Sequence, residues 1–262
     1  MSRKPTGNNV VVQSNSLVEA KYSLSLAEQR IVLAVISLIA PSDENFREYR
    51  LRASDLADLF GVDKESFYRA SRETLRRLLG RVLEIPEGKG YLMTHWLSSA
   101  RYVPQEGILT LSFDPKLKPY LLRLKREFTR YRLAAIVGMK SQYSIRLYQL
   151  AKQYESLRER TISLEQLREM LSLEDRYGDY SDLRKRVLAP AEAEITKKTD
   201  LNVVFRPIKE GKKVRSIRLM IGKKRGKPKE ALPRLPPTPE QKENASRKCE
   251  ELRGIIKGRK KP

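Results

Sequence analysis

Histidine and cysteine are almost missing from this 262-residue chain, with His95 and Cys249 the single example of each. One cysteine excludes an intrachain disulfide framework and a cysteine-based metal site, and it fits a reducing compartment. One histidine excludes a two-histidine metal centre and the histidine pair of a metal-dependent DNA-nicking enzyme. His95 itself, in Thr94-His95-Trp96, reads as a packed or surface histidine of a strand. A phosphate-binding loop of the form Gly-x-x-x-x-Gly-Lys-Ser/Thr is also lacking, because Gly222-Lys-Lys-Arg-Gly-Lys227 has the wrong spacing. Acidic residues come as surface-type pairs such as Glu192 and Glu194, expected to be solvated. These gaps point to a protein that is not an enzyme and uses no metal or cofactor.

Long hydrophobic runs are missing too. The most apolar stretch, residues 31–39, falls well short of the ~20 residues that span a bilayer. The opening MSRKPTGNNVVVQSN has neither the apolar core nor the small-residue cleavage site of a signal peptide. A cytoplasmic protein with no membrane partner is expected.

Positive charge is what the chain has in excess. Its 54 Lys and Arg against 32 Asp and Glu give a net charge of +22, so a polyanion is the natural partner. The excess is not confined to one end. Residues 222–262 hold 14 basic and 5 acidic residues, which leaves 40 and 27 for residues 1–221.

The order of elements suggests an α+β chain with two similar halves. Residues 1–16 are polar and read as a flexible N-terminus. Ser25-Leu-Ala-Glu28 is a capping box that opens a helix over residues 26–40, ended by Pro41. Leu24, Ile31 and Leu38 form a heptad row there, which reads as core packing. A short strand at residues 49–51 precedes a helix capped by Ser54. After the turn Gly61-Val-Asp63, a second helix covers residues 64–81, with Phe67, Ser71, Thr74, Leu75, Leu78 and Leu79 inward. Residues 82–85, 91–103 and 108–113 alternate as strands, and residues 117–126 form a linking helix.

The same order then recurs. Residues 141–157 have helical period, Ser163-Leu-Glu-Gln166 opens a short helix, residues 180–196 form another, and residues 201–221 form a hairpin turning at Glu210-Gly211. A shift of 111 lays Leu167, Met170, Leu171 and Leu173 on Leu56, Leu59, Phe60 and Val62. Two tandem winged helix-turn-helix domains related by pseudo-repeat follow. The first spans 17–132 with its linking helix and the second 133–221, and a disordered basic, Pro-rich tail covers 222–262, with a possible short helix at 240–256.

In a helix-turn-helix the second helix offers its first turns to the major groove, while other cations hold phosphates. On the helix YSDLRKRVLAPAEAEIT, Tyr180, Leu183, Val187, Ala191 and Ile195 cluster as the core side. Ser181, Asp182, Lys185 and Arg186 then point outward, with Arg184 at the boundary. Pro190 calls for a kink or restart after that segment. On the first recognition helix, Ser66, Arg69, Glu73, Arg76 and Arg77 face out, with Glu73 placed to pair with Arg69 or Arg77. More phosphate holding and less base reading is expected there. Lys209, Lys212, Lys213 and Arg215 make the second wing tip cationic.

With these residues in view, the chain resembles the replication initiator proteins of iteron-containing bacterial plasmids. The resemblance covers about residues 11–221 and is carried by SNSLVEAKYSLSLAEQRIVL, by Ser141-Gln-Tyr-Ser-Ile-Arg-Leu-Tyr148, and by YSDLRKRVLAPAEAEIT with its hairpin. It implies monomers bound to directly repeated iterons and dimers that bind an inverted operator and repress the initiator's own gene. It also implies the host initiator and the replicative helicase as partners. The family's paired basic positions fall on Lys185 and Arg186, with lysine here where arginine is usual. The alternative reading is a winged-helix transcriptional repressor with no role at an origin.

Overall fold

The computed structural model describes residues 4–174 and 176–224. The chain begins with β1 (Val10–Ser14) and α1 (Asn15–Glu19), where the Ser14 hydroxyl caps the helix by accepting from Leu17 N. This corrects the flexible start expected for residues 1–16 where β1 and α1 overlap it, at residues 10–16. Val11 and Gln13 are buried because β1 pairs antiparallel with β7 (Phe128–Arg132), a partner more than a hundred residues away. Such a pairing leaves no local signature.

α2 (Leu26–Ile36) starts at its capping box, with Ser25 Oγ accepting from Glu28 N and the Glu28 carboxylate accepting from Ser25 N at 2.8 Å. It stops four residues short of the expected end. The Ser37 hydroxyl turns back to Ala34 O at 2.7 Å, and Leu38 N bonds to Val35 O, which tightens the last turn before Pro41 is reached. Leu24, Ile31 and Leu38 all lie in the core.

The first winged helix continues with β2 (Tyr49–Arg52), α3 (Ala53–Phe60) and α4 (Lys64–Leu79). Arg52 rather than Ser54 occupies the N-cap of α3, and it makes no side-chain cap. Gly61 closes α3 in the left-handed region at φ 60°, where a Cβ would be strained. Four strands follow: β3 (Val82–Glu87), β4 (Gly90–His95), β5 (Leu97–Val103) and β6 (Ile108–Phe113). Only the last two join the wing sheet, whose order is β2-β6-β5, while β3 and β4 form a separate hairpin. The expected linking helix of 117–126 shrinks to a 3-10 turn at Pro115–Leu117 and the four-residue α5 (Lys118–Leu121). Leu122 is extended, and Arg123 has φ 50°, so helix cannot continue into β7.

After α6 (Ala134–Val137), the second winged helix comprises α7 (Gln142–Gln153), β8 (Glu159–Ser163), α8 (Leu164–Met170), α9 (Tyr180–Leu183), α10 (Ala189–Lys198), β9 (Leu201–Glu210) and β10 (Lys213–Lys223). Its sheet order, β8-β10-β9, repeats β2-β6-β5 element for element. The shift of 111 maps the start of α3 onto the start of α8, and Leu56 and Leu167, like Phe60 and Leu171, are buried. Its fourth pair fails, because Val62 is exposed and Leu173 is buried. β10 runs through Lys223, so the expected tail cannot start at 222. The rest of that tail and the short helix considered at 240–256 lie outside the described residues.

Polar bonds tie the halves together. Arg146 of α7 donates to Ala20 O at 2.6 Å and to Met170 O at 3.0 Å, with its guanidinium 3.7 Å from the Tyr22 ring centroid. Arg30 of α2 donates to Met139 O at 2.9 Å. Gln149 donates to the Tyr131 hydroxyl at 2.7 Å, so β7 is bonded directly to α7. The two helix-turn-helix units are thereby held on one frame.

Candidate nucleic-acid interface

The second recognition helix is built in three pieces. α9 leads into a π-helical turn over Arg184–Leu188, and α10 resumes with Pro190 in its first turn. In a continuous α-helix, Pro190 would leave Arg186 O without a donor and press its ring on that carbonyl. The chain widens instead: Ala189 N bonds to Arg184 O, five residues back. The restart read from Pro190 therefore takes the form of a π turn. Leu183 and Leu188, five residues apart, are both buried, and so are Val187, Ala191 and Ile195. Leu188 falls outside a stripe drawn at 100° per residue, and the wider turn brings it inward.

Ser181, Asp182, Lys185 and Arg186 are exposed on the opposite face. Arg184 is not among them. It forms an ion pair with Glu192 and donates to Phe205 O at 3.4 Å, while Glu192 accepts from Phe205 N at 3.0 Å. This network fixes the π turn to β9, which makes Arg184 a positioning residue and leaves Lys185 and Arg186 facing outward. Glu192 and Glu194 are correspondingly not the solvated pair expected. Glu194 accepts from Lys140 N at 2.9 Å and from Lys198 Nζ at 2.7 Å, fastening α10 to the start of α7. Burial pushes the Glu194 carboxyl up, but Lys198 and the Lys140 amide outweigh it and hold it below the usual range.

The turn before α9 is long and is held from behind. Arg168 of α8 donates to Arg176 O and Gly178 O, both at 2.9 Å. Beyond the helix, Lys209, Lys212, Lys213 and Arg215 are exposed at the tip of the β9–β10 hairpin. Gly211 makes that turn at φ 62°, and a bulge between Val214 and Ser216 sets Arg215 out of the ladder. Two further cations escaped the sequence reading. Arg206 and Arg218 stand directly opposite each other on the exposed face of the same hairpin. Like charges in that position cost stability, which an anion between them would offset. The polar positions of an alternating strand were the available signal, but their pairing depends on register.

The first recognition helix differs. Ser66, Arg69, Glu73, Arg76 and Arg77 are exposed as expected, with Arg72 beside them. Asp63 caps the helix by accepting from Ser66 N at 2.8 Å, and its hydrogen bonds with Ser66 hold its carboxyl below the usual range. Arg77 approaches the buried Glu28 at 3.7 Å rather than pairing with Glu73, and Arg81 donates to the same carboxylate at 3.1 Å. Lys64 pairs with Asp58 at 3.0 Å. Lys64, Arg77 and Arg81 are thus drawn to carboxylates of their own half, while Arg69, Arg72 and Arg76 stay exposed. The wing tip over residues 104–107 carries Glu106 and no cation.

Comparisons with known proteins agree with this architecture. The family described as "Initiator Replication protein, WH1" matches residues 10–152, and "Initiator Rep protein, WH2" matches residues 163–221. A "Replication initiation protein" of Escherichia coli is 27% identical over 206 residues, which cover 74% of this chain and 64% of that protein. The "PI protein" of Escherichia coli is 29% identical over 245 residues, covering 78% of this chain and 79% of that one. The crystal structure of the Pi initiator protein in complex with iteron DNA superposes with a TM-score of 0.71 at 25% identity, over 84% of this chain and all of that chain. With one match on each half, in the order the fold requires, the chain belongs to the Initiator Replication protein family, with its WH1 and WH2 domains in tandem.

Proposed function

We propose that the protein is a sequence-specific duplex-DNA binder that initiates plasmid replication, taking directly repeated iterons as a monomer and repressing its own gene as a dimer on an inverted repeat. The observation that carries this reading is the exposed Lys185–Arg186 pair at the π turn, clamped from behind by Arg184 and flanked by a cationic wing tip. The likeness to a relative solved on iteron DNA supports the choice of target. Residues 17–132 and 133–221 serve as the two DNA-binding domains of a cytoplasmic protein. Ser181, Asp182, Lys185 and Arg186 read bases. Ser66, Arg69, Arg76, Lys209, Lys212, Lys213 and Arg215 hold phosphates, Arg77 reaches them only from its place beside Glu28, and Arg184 acts through the helix it positions. The host initiator and the replicative helicase are the partners this role requires. No catalytic step is assigned.

The experiment is a salt titration of binding to origin DNA carrying the repeats and to random duplex. If about ten phosphates are contacted, log affinity falls with log salt at a slope of about −9 on both DNAs, and the origin retains an advantage at every salt concentration. A flat response would remove the electrostatic reading. Equal affinity for the two DNAs would remove the sequence-specific one. A protein that bound a palindrome over its promoter but no direct repeats would be the repressor of the alternative reading.

A further inference from the structure

The three-stranded sheet of the second half packs one face on its helices and turns the other outward. Side chains alternate along β9 and β10, so Phe205, Ile217 and Leu219 are buried while Arg206 and Arg218 are exposed on the far face. The register sets these two arginines directly opposite each other. The next pair along the same face, Val204 and Met220, is apolar and exposed. On the third strand, Thr161 of β8 stands opposite Arg218, and Glu159 stands opposite Met220.

Both pairs lack what would satisfy them. Like charges directly opposite destabilise a sheet. Glu159 is placed only diagonally to Arg218, where cross-strand neighbours are ~7–8 Å apart, and a whole strand separates it from Arg206. A single exposed apolar side chain is ordinary on a protein surface. Val204 and Met220, however, are cross-strand neighbours and adjoin the arginines, and Met and Arg are among the residues enriched where proteins meet.

We propose that this face docks an acidic amphipathic segment of another protein, whose carboxylates meet Arg206 and Arg218 and whose apolar side chains cover Val204 and Met220. Charge complementarity selects the partner. Duplex DNA is the other candidate polyanion, but Phe205 and Leu219 share the buried core with Val187, Ala191 and Ile195 of the recognition helix. That core stands between this face and the outward Lys185 and Arg186. A second copy of this chain, at +22, offers the wrong charge, and so does the chain's own Lys- and Arg-rich continuation beyond residue 224. The assignment holds whether or not the recognition helix reads DNA.

The test uses the full chain, with labelled methionine methyl groups, and a fluorescein-labelled amphipathic peptide that combines Glu and Leu on one helical face. Anisotropy at moderate salt should show saturable binding, at least ten-fold tighter than that of the same peptide with Gln for Glu. Arg206→Glu should weaken it at least ten-fold, because the new carboxylate stands opposite Arg218 and takes the place of the peptide's own. An opposite-charge pair replaces a like-charge one there, so the urea midpoint of this variant should not fall. In the unmodified chain the Met220 methyl resonance should shift when peptide is added, while that of Met93, exposed on the first half, stays in place, a readout that needs no variant. No saturable binding, equal affinity for the Gln peptide, full affinity in the variant, or an unmoved Met220 resonance would overturn the proposal. So would a parallel loss of duplex-DNA affinity or a change of oligomeric state in Arg206→Glu, which would give the face to DNA or to a second copy of this chain.

Discussion

At the first wing tip, residues 104–107 fold back on the helix-turn-helix. Gly107 N bonds to Pro104 O, Gly107 O accepts from Ala53 N at 2.8 Å, and Tyr102 donates to Tyr68 O at 3.4 Å. At the second, residues 209–215 stand clear and carry four cations. The recognition helices divide the same way. α4 is continuous, and its neighbouring cations are drawn to Asp58 and Glu28, whereas the second helix is opened by a π turn and clamped by Arg184. One topology thus takes two forms. The first half has gained the β3–β4 hairpin, while the second presents charge outward. The halves differ most at the wing tip, where the second carries four exposed cations and the first none.

The sharpest way to break this comparison uses the two wing glycines. Gly107 and Gly211 share nearly the same backbone, φ 61° and 62°, but a Cβ on Gly107 would lie 2.4 Å from the Tyr68 ring, and one on Gly211 would meet nothing within 4 Å. Gly107→Ala should therefore cost about 3 kcal/mol, from left-handed strain and overlap together. Gly211→Ala should cost about 1 kcal/mol, from backbone strain alone. Urea unfolding measures both. In a Tyr68→Ala background the Gly107→Ala cost should fall to about 1 kcal/mol, and an unchanged cost would mean that the first wing is not pinned by that contact.

Binding sharpens the comparison at the recognition helices. Arg186→Ala should weaken binding by about 2 kcal/mol at particular base pairs, the range of a lost side-chain contact with a base edge. Arg76→Ala on α4 should cost less than about 1 kcal/mol and by the same amount on any sequence, as a lost phosphate contact does. A scan of single base-pair changes with each variant separates the two. Uniform losses from Arg186→Ala would make both halves phosphate holders and erase the division of labour.

How much of this was legible beforehand depended on sequence distance. Capping boxes act within four residues, so Ser25 and Ser163 marked α2 and α8 correctly. The outward face of α4 followed from its period alone. Pro190 announced a disturbed helix, because its missing amide is a local fact. By contrast, the β1–β7 pair depends on partners far apart, and neither VVVQS nor FTRYR says where the other lies. Arg184 failed for a related reason. By angle it sits at the boundary of the reading face, and only the fold brings Glu192 and the Phe205 backbone to it. The same holds for Glu194, whose acceptor role needs the start of α7 alongside.

The smallest effect concerns acid, and it also separates the halves. Asp200, just before β9, accepts from the Tyr148 hydroxyl and from Lys152 Nζ, both at 3.2 Å. Burial pushes its carboxyl up, but Lys152, the backbone and Tyr148 outweigh burial and leave it below the ordinary aspartate value, as happens to Glu194. A carboxylate with a depressed folded pKa contributes stability that is full above its unfolded pKa and is lost as pH falls through the folded value. Both groups brace the second half, and both are partly open to solvent, so each should contribute less than about 1 kcal/mol. As pH falls from neutral to about 3, protection factors, which divide out the slowing of intrinsic exchange by acid, should drop first at the amides of Lys140, Ser141 and residues 201–203, ahead of β5 and β6. The substitutions Asp200→Asn and Glu194→Gln should flatten that dependence while leaving the first half's profile as it was. Equal loss of protection in both halves would show that acid acts through the shared frame, and that the two winged helices, different in how they present charge, unfold as one.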